Sequence, residues 1–262
     1  MSISSSSVRT LVTRLRAAGC VFAEDEAELL VSTAATSEEL AAMVERRVAG
    51  EPLQHVLGWA EFCGLRVAVE PGVFVPRPRT EFLIRQAVEL ARRVAGTPVV
   101  LDLCCGTGAM GAALAAGLER AELHATDLDP AAVRCARRNL AAGHVYEGDL
   151  YEPLPASLRG RVDVVIASPP YVPSESVALL PSEARLHEPL VALDGGGDGL
   201  DVVRRVIAGA PQWLAPGGHL LVETSERQAA ATAEAVIRSG LTARVARSDD
   251  LDATTVIGTR LH

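Results

Sequence analysis

The chain contains no lysine: all 25 of its basic residues are arginine. Schiff-base chemistry and a P-loop lysine are therefore excluded, and several enzyme classes go with them. It has no apolar run of about eighteen residues, so no membrane span is expected. Met1–Ser7 is serine-rich without the basic-then-apolar order of a secretory signal, which makes the cytoplasm the expected location. Cysteine is sparse. Cys20, Cys63, Cys104, Cys105 and Cys135 are odd in number and form no C-x-x-C pair, against both a disulfide framework and a zinc site. Adjacent Cys104 and Cys105 read as small residues packed in a turn rather than as a catalytic thiol, since no histidine stands near them in sequence. A net charge of −8 disfavours a protein living on nucleic-acid phosphates. Beyond Ser4–Ser7 there are no repeats or low-complexity tracts. What is left, 48% hydrophobic and 22% charged over 262 residues, suits one large domain with a small appendage and ample core.

The most informative stretch is Val99–Gly108, V-V-L-D-L-C-C-G-T-G. Val99, Val100, Leu101 and Leu103 form a short, nearly continuous apolar run, as in a strand buried on both faces of a parallel sheet. Gly106 and Gly108 allow a sharp turn and bring bare N–H groups near a ligand. Ala109–Leu118 then reads as a helix packed on the sheet through small residues. Strand, glycine turn and helix N-terminus make a nucleotide-site architecture. About twenty residues further on, Asp127 ends the apolar segment Leu123–Asp127, where an acidic side chain accepts hydrogen bonds from ribose hydroxyls. Asp127 or Asp129 could equally cap the helix that starts at Pro130.

In chain order, Val8–Ala18, Glu24–Ala34 and Ser37–Ala49 carry apolar residues at helical spacing, the third opened by a Thr36-Ser37 start signal and ended by Gly50. These make a small helical domain, 1–50. Residues 51–78 read as a linker: Pro52, Gly58 and Gly64 punctuate it, and Leu65–Val69 alternates like one strand of a hairpin. The prolines of Pro71–Glu81 disfavour helix until Thr80, which is placed to cap a helix Glu81–Ala95. Through 79–262, helices at Pro130–Ala142, Leu200–Leu214 and Glu226–Arg238 alternate with strands at Val145–Tyr146, Val162–Ala167 and His219–Glu223. Such alternation predicts an α/β sandwich around a mainly parallel sheet. Final strands near Leu241–Ala246 and Thr254–Arg260, with no helix between them, predict an antiparallel hairpin at one edge.

The strand Val162–Ala167 delivers Ser168-Pro169-Pro170-Tyr171 at its C-terminal end, where ligands of open α/β sheets sit. Two prolines lack N–H groups and leave nearby carbonyls free as acceptors. Ser168 adds a hydroxyl and Tyr171 a flat ring, a set suited to holding a planar –NH2 group. The plainer alternative is a rigid turn after a strand.

Together D-L-C-C-G-T-G, Asp127, Gly148-Asp149-Leu150 and S-P-P-Y resemble the class I S-adenosylmethionine-dependent methyltransferases that modify amino groups. V-P-R-P-R-T-E (Val75–Glu81) is similar to the I-P-R-P-E-T-E signature of the protein-glutamine N5-methyltransferases, which act on peptide chain release factors. E-P-L-Q-H-V-L-G (Glu51–Gly58), His187–Asp201 and the order of helical domain, hairpin and C-terminal domain resemble that family too. The resemblance implies a Rossmann-like, mainly parallel seven-stranded sheet with an antiparallel edge, S-adenosyl-L-methionine as cofactor, and a release factor or similar protein as substrate. It implies that Asp102 and Cys104, Cys105, Gly106, Thr107 and Gly108 serve the methionine and ribose part of the cofactor. Asp127 would take the ribose hydroxyls, Asp149 and Leu150 would border the adenine, and Ser168–Tyr171 would hold the glutamine. His187 and Glu188 would stand near the cleft without a direct part in the chemistry.

Three positions depart from the family pattern. Ser168 stands for the Asn of N-P-P-Y, Cys104 for the first glycine of the turn, and Arg79 for the Glu of R-P-E-T. S-P-P-Y also occurs in DNA methyltransferases acting on cytosine N4, so the rivals are a DNA amino-methyltransferase, a small-molecule amide or amine methyltransferase, and a cofactor-binding module without turnover. The excess of Asp and Glu over Arg in the small N-terminal domain counts against DNA.

Overall fold

The structure is a computed structural model that describes residues 5–261; Met1–Ser4, the head of the serine-rich start, and His262 lie outside the described residues. Four helices open the chain: α1 (Ser5–Ala17), α2 (Ala23–Thr33), α3 (Ser37–Val48) and the short α4 (Leu53–Leu57). Leu15, Leu30, Met43, Val44 and Val56, at helical spacing on these elements, bury against one another in a cluster of their own. Within the expected Thr36-Ser37 start signal, Thr36 is the cap of α3. The Thr36 hydroxyl accepts the Glu39 N–H at 3.1 Å while the Glu39 carboxylate accepts the Ala35 N–H at 2.7 Å, and Ser37 becomes the first helical residue.

A hairpin follows, β1 (Trp59–Phe62) and β2 (Leu65–Ala68), turned by Cys63 and Gly64 in left-handed backbone. Pro78–Thr80 forms a single 3-10 turn into α5 (Glu81–Ala91). Thr80 does not cap that helix as expected. Its backbone is already right-handed helical and its hydroxyl is donated to the Glu223 carboxylate, 143 residues away.

The remaining elements alternate as predicted: β3 (Val99–Leu103), α6 (Ala109–Ala116), β4 (Glu122–Asp127), α7 (Pro130–Asn139), β5 (His144–Glu147) and β6 (Val162–Ala167). After a long segment holding α8 (Ser182–His187) come α9 (Asp201–Trp213), β7 (Leu214–Thr224), α10 (Ala229–Arg238), β8 (Thr242–Ser248) and β9 (Ala253–Thr259). The seven-stranded sheet runs β5-β4-β3-β6-β7-β9-β8. Its first five strands are parallel; β9 inserts antiparallel between β7 and β8, giving the predicted antiparallel edge. Leu83 and Ile84 of α5, Leu114 of α6 and Ala136 of α7 pack on one face, and Val206 and Ile207 of α9 with Val236 of α10 on the other. All five residues of β3 are therefore buried, which is why every one but Asp102 is apolar, without alternation. No helix among the described residues is long and apolar enough to cross a membrane.

Register is what makes a site of this sheet. Leu103 pairs with Thr126 on one side and Ala167 on the other, and Ala167 pairs with Val222. The next residue on each strand, Asp127, Cys104, Ser168 and Glu223, then stands in one row along the C-terminal edge. Neighbouring strands lie about 4.8 Å apart, so Asp127 and Ser168, two strands apart, are separated by roughly 10 Å.

Candidate active site

Two adjoining cavities open over that row. The first is walled by Cys104–Thr107, Ala109 and Met110, by Asp127–Asp129, by Asp149 and Leu150, by Ser168 and Pro170, and by Phe74, Arg77 and Thr80 of the proline segment. Pro189, Val191 and Ala192 from the segment before α9 close it. The second is walled by Phe74, Arg77, Arg79, Ser168, Pro169, Tyr171, Leu180, Pro181, Glu183 and Ala184, among others. Ser168 lines both.

The glycine turn is built to present bare backbone. Gly106 has φ +54°, and no atom lies within 4 Å of where its Cβ would stand, so the space before it is cavity. Gly108 answers a different need: at φ +76° a Cβ there would stand 3.0 Å from Leu140. Cys104 holds φ 55° without being glycine, in the backbone region where the family pattern carries one. Burial pushes the Cys104 and Cys105 thiols well above their ordinary pKa, and the nearby Asp127 and Asp102 carboxylates add to it. Neither is a nucleophile at neutral pH.

Asp127 and Asp129, ambiguous in sequence, divide the work. Asp129 caps α7 by accepting the Ala131 N–H at 2.8 Å. Asp127 takes the Gly106 N–H at 2.8 Å on one oxygen and the Asp129 N–H at 2.9 Å on the other, so its carboxylate is held at the cavity wall with outer lone pairs to spare. Burial raises its pKa, opposed by those same N–H groups. Asp149 is fixed on the wall by the Arg205 guanidinium at 2.6 Å.

Two residues expected at the cofactor, Asp102 and Gly108, are absent from the cavity wall. Asp102 is fully buried beneath the turn; one of its oxygens accepts the Gly111 N–H at 2.9 Å and the other has no partner among the described residues. Burial pushes its pKa up to about 8. A carboxyl whose folded pKa exceeds its unfolded value near 3.9 contributes stability at low pH that is lost as pH rises towards 8. We expect Asp102→Asn, which can still accept the Gly111 N–H, to flatten the fall in stability between pH 5 and pH 8. Chemical denaturation at several pH values measures this, and equal slopes in both proteins would refute it.

Ser168-Pro169-Pro170-Tyr171 is braced from behind. A Cβ at Gly195 would stand 2.7 Å from the Pro170 carbonyl oxygen, and one at Gly199 2.3 Å from that of Tyr171, so only glycine permits this approach. Gln228 donates Nε2 to the Tyr171 carbonyl at 2.9 Å. The Tyr171 hydroxyl donates to Glu223 at 3.3 Å; burial first, then Glu223, raises its pKa, so it stays neutral. Glu223 is 4% exposed and also takes the Thr80 hydroxyl at 2.7 Å.

Sequence reasoning missed Glu223, although the rule that found Ser168 applies to it: both end parallel strands at the C-terminal edge. Glu188, placed only near the cleft, is a clamp. It accepts the Val75 N–H at 3.1 Å and binds Arg77 through both carboxylate oxygens, holding the proline segment as the cavity wall. Arg47 of α3 was unforeseen. At 6% exposure it binds Glu26 through two nitrogens, at 2.6 and 3.0 Å, and reaches Glu183 of α8 at 2.6 Å. The helical layer is thereby tied to the wall of the second cavity. Arg47→Ala should cost about 3 kcal/mol because it strands Glu26, while Glu183→Gln, at a half-exposed pair, should cost under about 1 kcal/mol. Denaturant midpoints separate the two, and equal losses would contradict this division.

A carboxylate at the end of β4, a bare glycine turn after β3 and the apolar wall residues Leu128, Leu150 and Val202 fit an adenosyl group and its amino-acid tail. The fold and this site define a class I S-adenosylmethionine-dependent methyltransferase. Residues 65–198, about half the chain, match the family model "Methyltransferase small domain". The release factor glutamine methyltransferase of Geobacter sulfurreducens is 38% identical, over 86% of this chain and 79% of that one. A 4-amino-L-phenylalanine/4-methylamino-L-phenylalanine methyltransferase of Streptomyces pristinaespiralis is 39% identical over 71% of this chain and 65% of that one. Among solved structures, a methyltransferase from Pyrococcus furiosus shares the fold, with TM-score 0.56 and 19% identity over 76% of this chain and 90% of that chain. The chain belongs to the release factor glutamine methyltransferase family.

Proposed function

We propose that this protein transfers a methyl group from S-adenosylmethionine to the side-chain amide nitrogen of a glutamine in a protein, a peptide chain release factor. The observation that carries the reading is the position of Ser168. It directly follows the buried strand β6 and, with Phe74, Arg77 and Ala192, lines both the cavity suited to the cofactor and the cavity beside Tyr171. A group donated on one side and accepted on the other would cross the boundary these residues share.

When bound, S-adenosylmethionine supplies an electrophilic methyl on a sulfonium. Gly106 and Thr107 would face its amino-acid tail, Asp127 its ribose hydroxyls, Asp149 and Leu150 its adenine. An amide nitrogen is a poor nucleophile because its lone pair is delocalised into the carbonyl. Ser168 Oγ and the Pro169 carbonyl accept its two N–H groups, turn the lone pair towards the methyl and favour charge developing on nitrogen; the surplus proton then leaves to water. Holding two partners in line can supply roughly 7–11 kcal/mol of barrier reduction, and oriented acceptors add to it. Tyr171, held by Glu223, packs its ring on the amide plane. No general-base histidine or covalent intermediate is needed.

A macromolecular acceptor suits the rim. Leu179, Leu186, Leu190 and Val191 are exposed apolar side chains of the segment between β6 and α9, the segment that also gives Leu180, Pro181, Glu183 and Ala184 to the second cavity. Through Arg47 and Glu183 the helical layer, as described over residues 5–50, meets the same rim, and we assign it to substrate recognition. A second reading, methylation of a small-molecule amine, is favoured by Ser168, whose reach is shorter than asparagine's. The test is methyl transfer from labelled S-adenosylmethionine to purified release factor, nucleic acid and a small-metabolite extract. Label on a release-factor glutamine is the expected result; label only on DNA or a metabolite would overturn the substrate.

A further inference from the structure

We infer that the acceptor of this enzyme carries a carboxylate close to the methylated nitrogen, and that Arg79 binds it. The inference rests on the reading of the second cavity as the acceptor site and names the chemistry that site selects.

The cavity holds three charged side chains besides the uncharged Ser168 and Tyr171. Arg77 is neutralised by Glu188, both of whose oxygens accept from its Nη2. Glu183 is neutralised by Arg47, to which it offers one oxygen. Arg79 differs from both. Its side chain is 46% exposed, and its nearest anion is Glu223, whose Oε1 lies 3.6 Å from Arg79 Nε, beyond hydrogen-bond distance. Glu223 in turn already receives the Thr80 and Tyr171 hydroxyls, one on each oxygen. Glu223 therefore serves as a counterion on the inner side, and the guanidinium makes no hydrogen bond among the described residues. Its outer nitrogens are left for a ligand.

The surroundings favour an anion there. Phe74, Leu180, Pro181, Ala184 and Leu193 are apolar walls of the same cavity, and a charge pair made among them is screened less than one in open water. A planar guanidinium fork matches a carboxylate through two parallel N–H donors. Position 79 is also where the family signature carries Glu, an anion that would repel such an acceptor. The charge is reversed at the wall that the acceptor must pass.

One chemistry has two sources, an acidic residue next to the target glutamine in a protein loop or the α-carboxylate of a free amino acid. The test uses matched acceptors with the full-length enzyme. One pair is a glutamine peptide with aspartate beside the glutamine against the same peptide with asparagine. The other is 4-amino-L-phenylalanine against its carboxamide. For wild type, kcat/KM should favour the acidic member of at least one pair by about tenfold or more, and the pair in which this occurs names the source. In Arg79→Gln that ratio should fall to near one, with Arg79→Lys between. Binding of S-adenosylmethionine by each variant verifies the fold. Equal use of acid and amide by wild type in both pairs would overturn the inference alone, as would a preference that survives Arg79→Gln. Transfer to none of the four by an enzyme that binds cofactor would overturn it together with the assignment of the acceptor cavity.

Discussion

Asp127→Ala should lower the affinity for S-adenosylmethionine by at least two orders of magnitude. The carboxylate stands at the cavity wall with one oxygen on the Gly106 N–H and the other on the Asp129 N–H. Two ribose hydroxyls donating to it would each make a hydrogen bond to a charged group, worth about 1.5–3 kcal/mol. Their loss corresponds to a factor of roughly 10² to 10⁴ in Kd. Alanine also frees the Gly106 N–H that fixes the glycine turn, so Asp127→Asn is the milder companion: it keeps acceptor capacity but loses the charge, and should fall between. Because burial raises the Asp127 pKa, affinity should weaken as pH falls through it, and alanine should remove that dependence. Titration calorimetry with the cofactor measures both. A Kd for the alanine variant within threefold of wild type would remove Asp127 from the ribose.

What the sequence made legible was local. A buried strand, a glycine turn and an acidic residue at fixed spacing are short-range patterns, and the elements they predicted appear within a few residues of their expected bounds. The contest between Asp127 and Asp129 was also local, but it needed coordinates, because either carboxylate could reach the first turn of α7. What stayed hidden is pairing over long separations. Thr80 looked like a helix cap because proline precedes it and a helical pattern follows. Its hydroxyl instead joins a carboxylate 143 residues later. Burial of Glu223 leaves few other donors for it, and a bond to a buried charge outweighs a cap worth about 1 kcal/mol. Glu188 with Arg77 spans 111 residues and Arg47 with Glu183 spans 136. No period or spacing encodes such pairs. The strand ends were the exception: β7 could have been read to its last carboxylate by the reasoning that picked out Ser168, since sheet topology places both at one edge.

Ser168→Ala should lower kcat by about two to three orders of magnitude, the usual loss when one oriented hydrogen-bonding group at a reacting centre is removed. Cofactor affinity should hold within a few-fold, because the first cavity keeps Asp127, Gly106 and its apolar wall. The split matters. A side chain that merely shaped the wall between the two cavities would alter both affinities and spare the chemical step, whereas an acceptor for the amide N–H acts on kcat. Ser168→Asn tests the same idea from the other direction. Asparagine restores the longer reach of the family pattern, and its carbonyl oxygen accepts where the hydroxyl did. If the acceptor is a glutamine amide, kcat on release factor should be kept or raised. If asparagine abolishes transfer to release factor while a smaller amine is still methylated, the serine is an adaptation to a different acceptor. Single-turnover transfer from labelled cofactor, run at saturating acceptor for wild type and both variants, separates these outcomes. An alanine variant with unchanged kcat would place the amide's hydrogen-bond acceptors elsewhere on the wall of the second cavity.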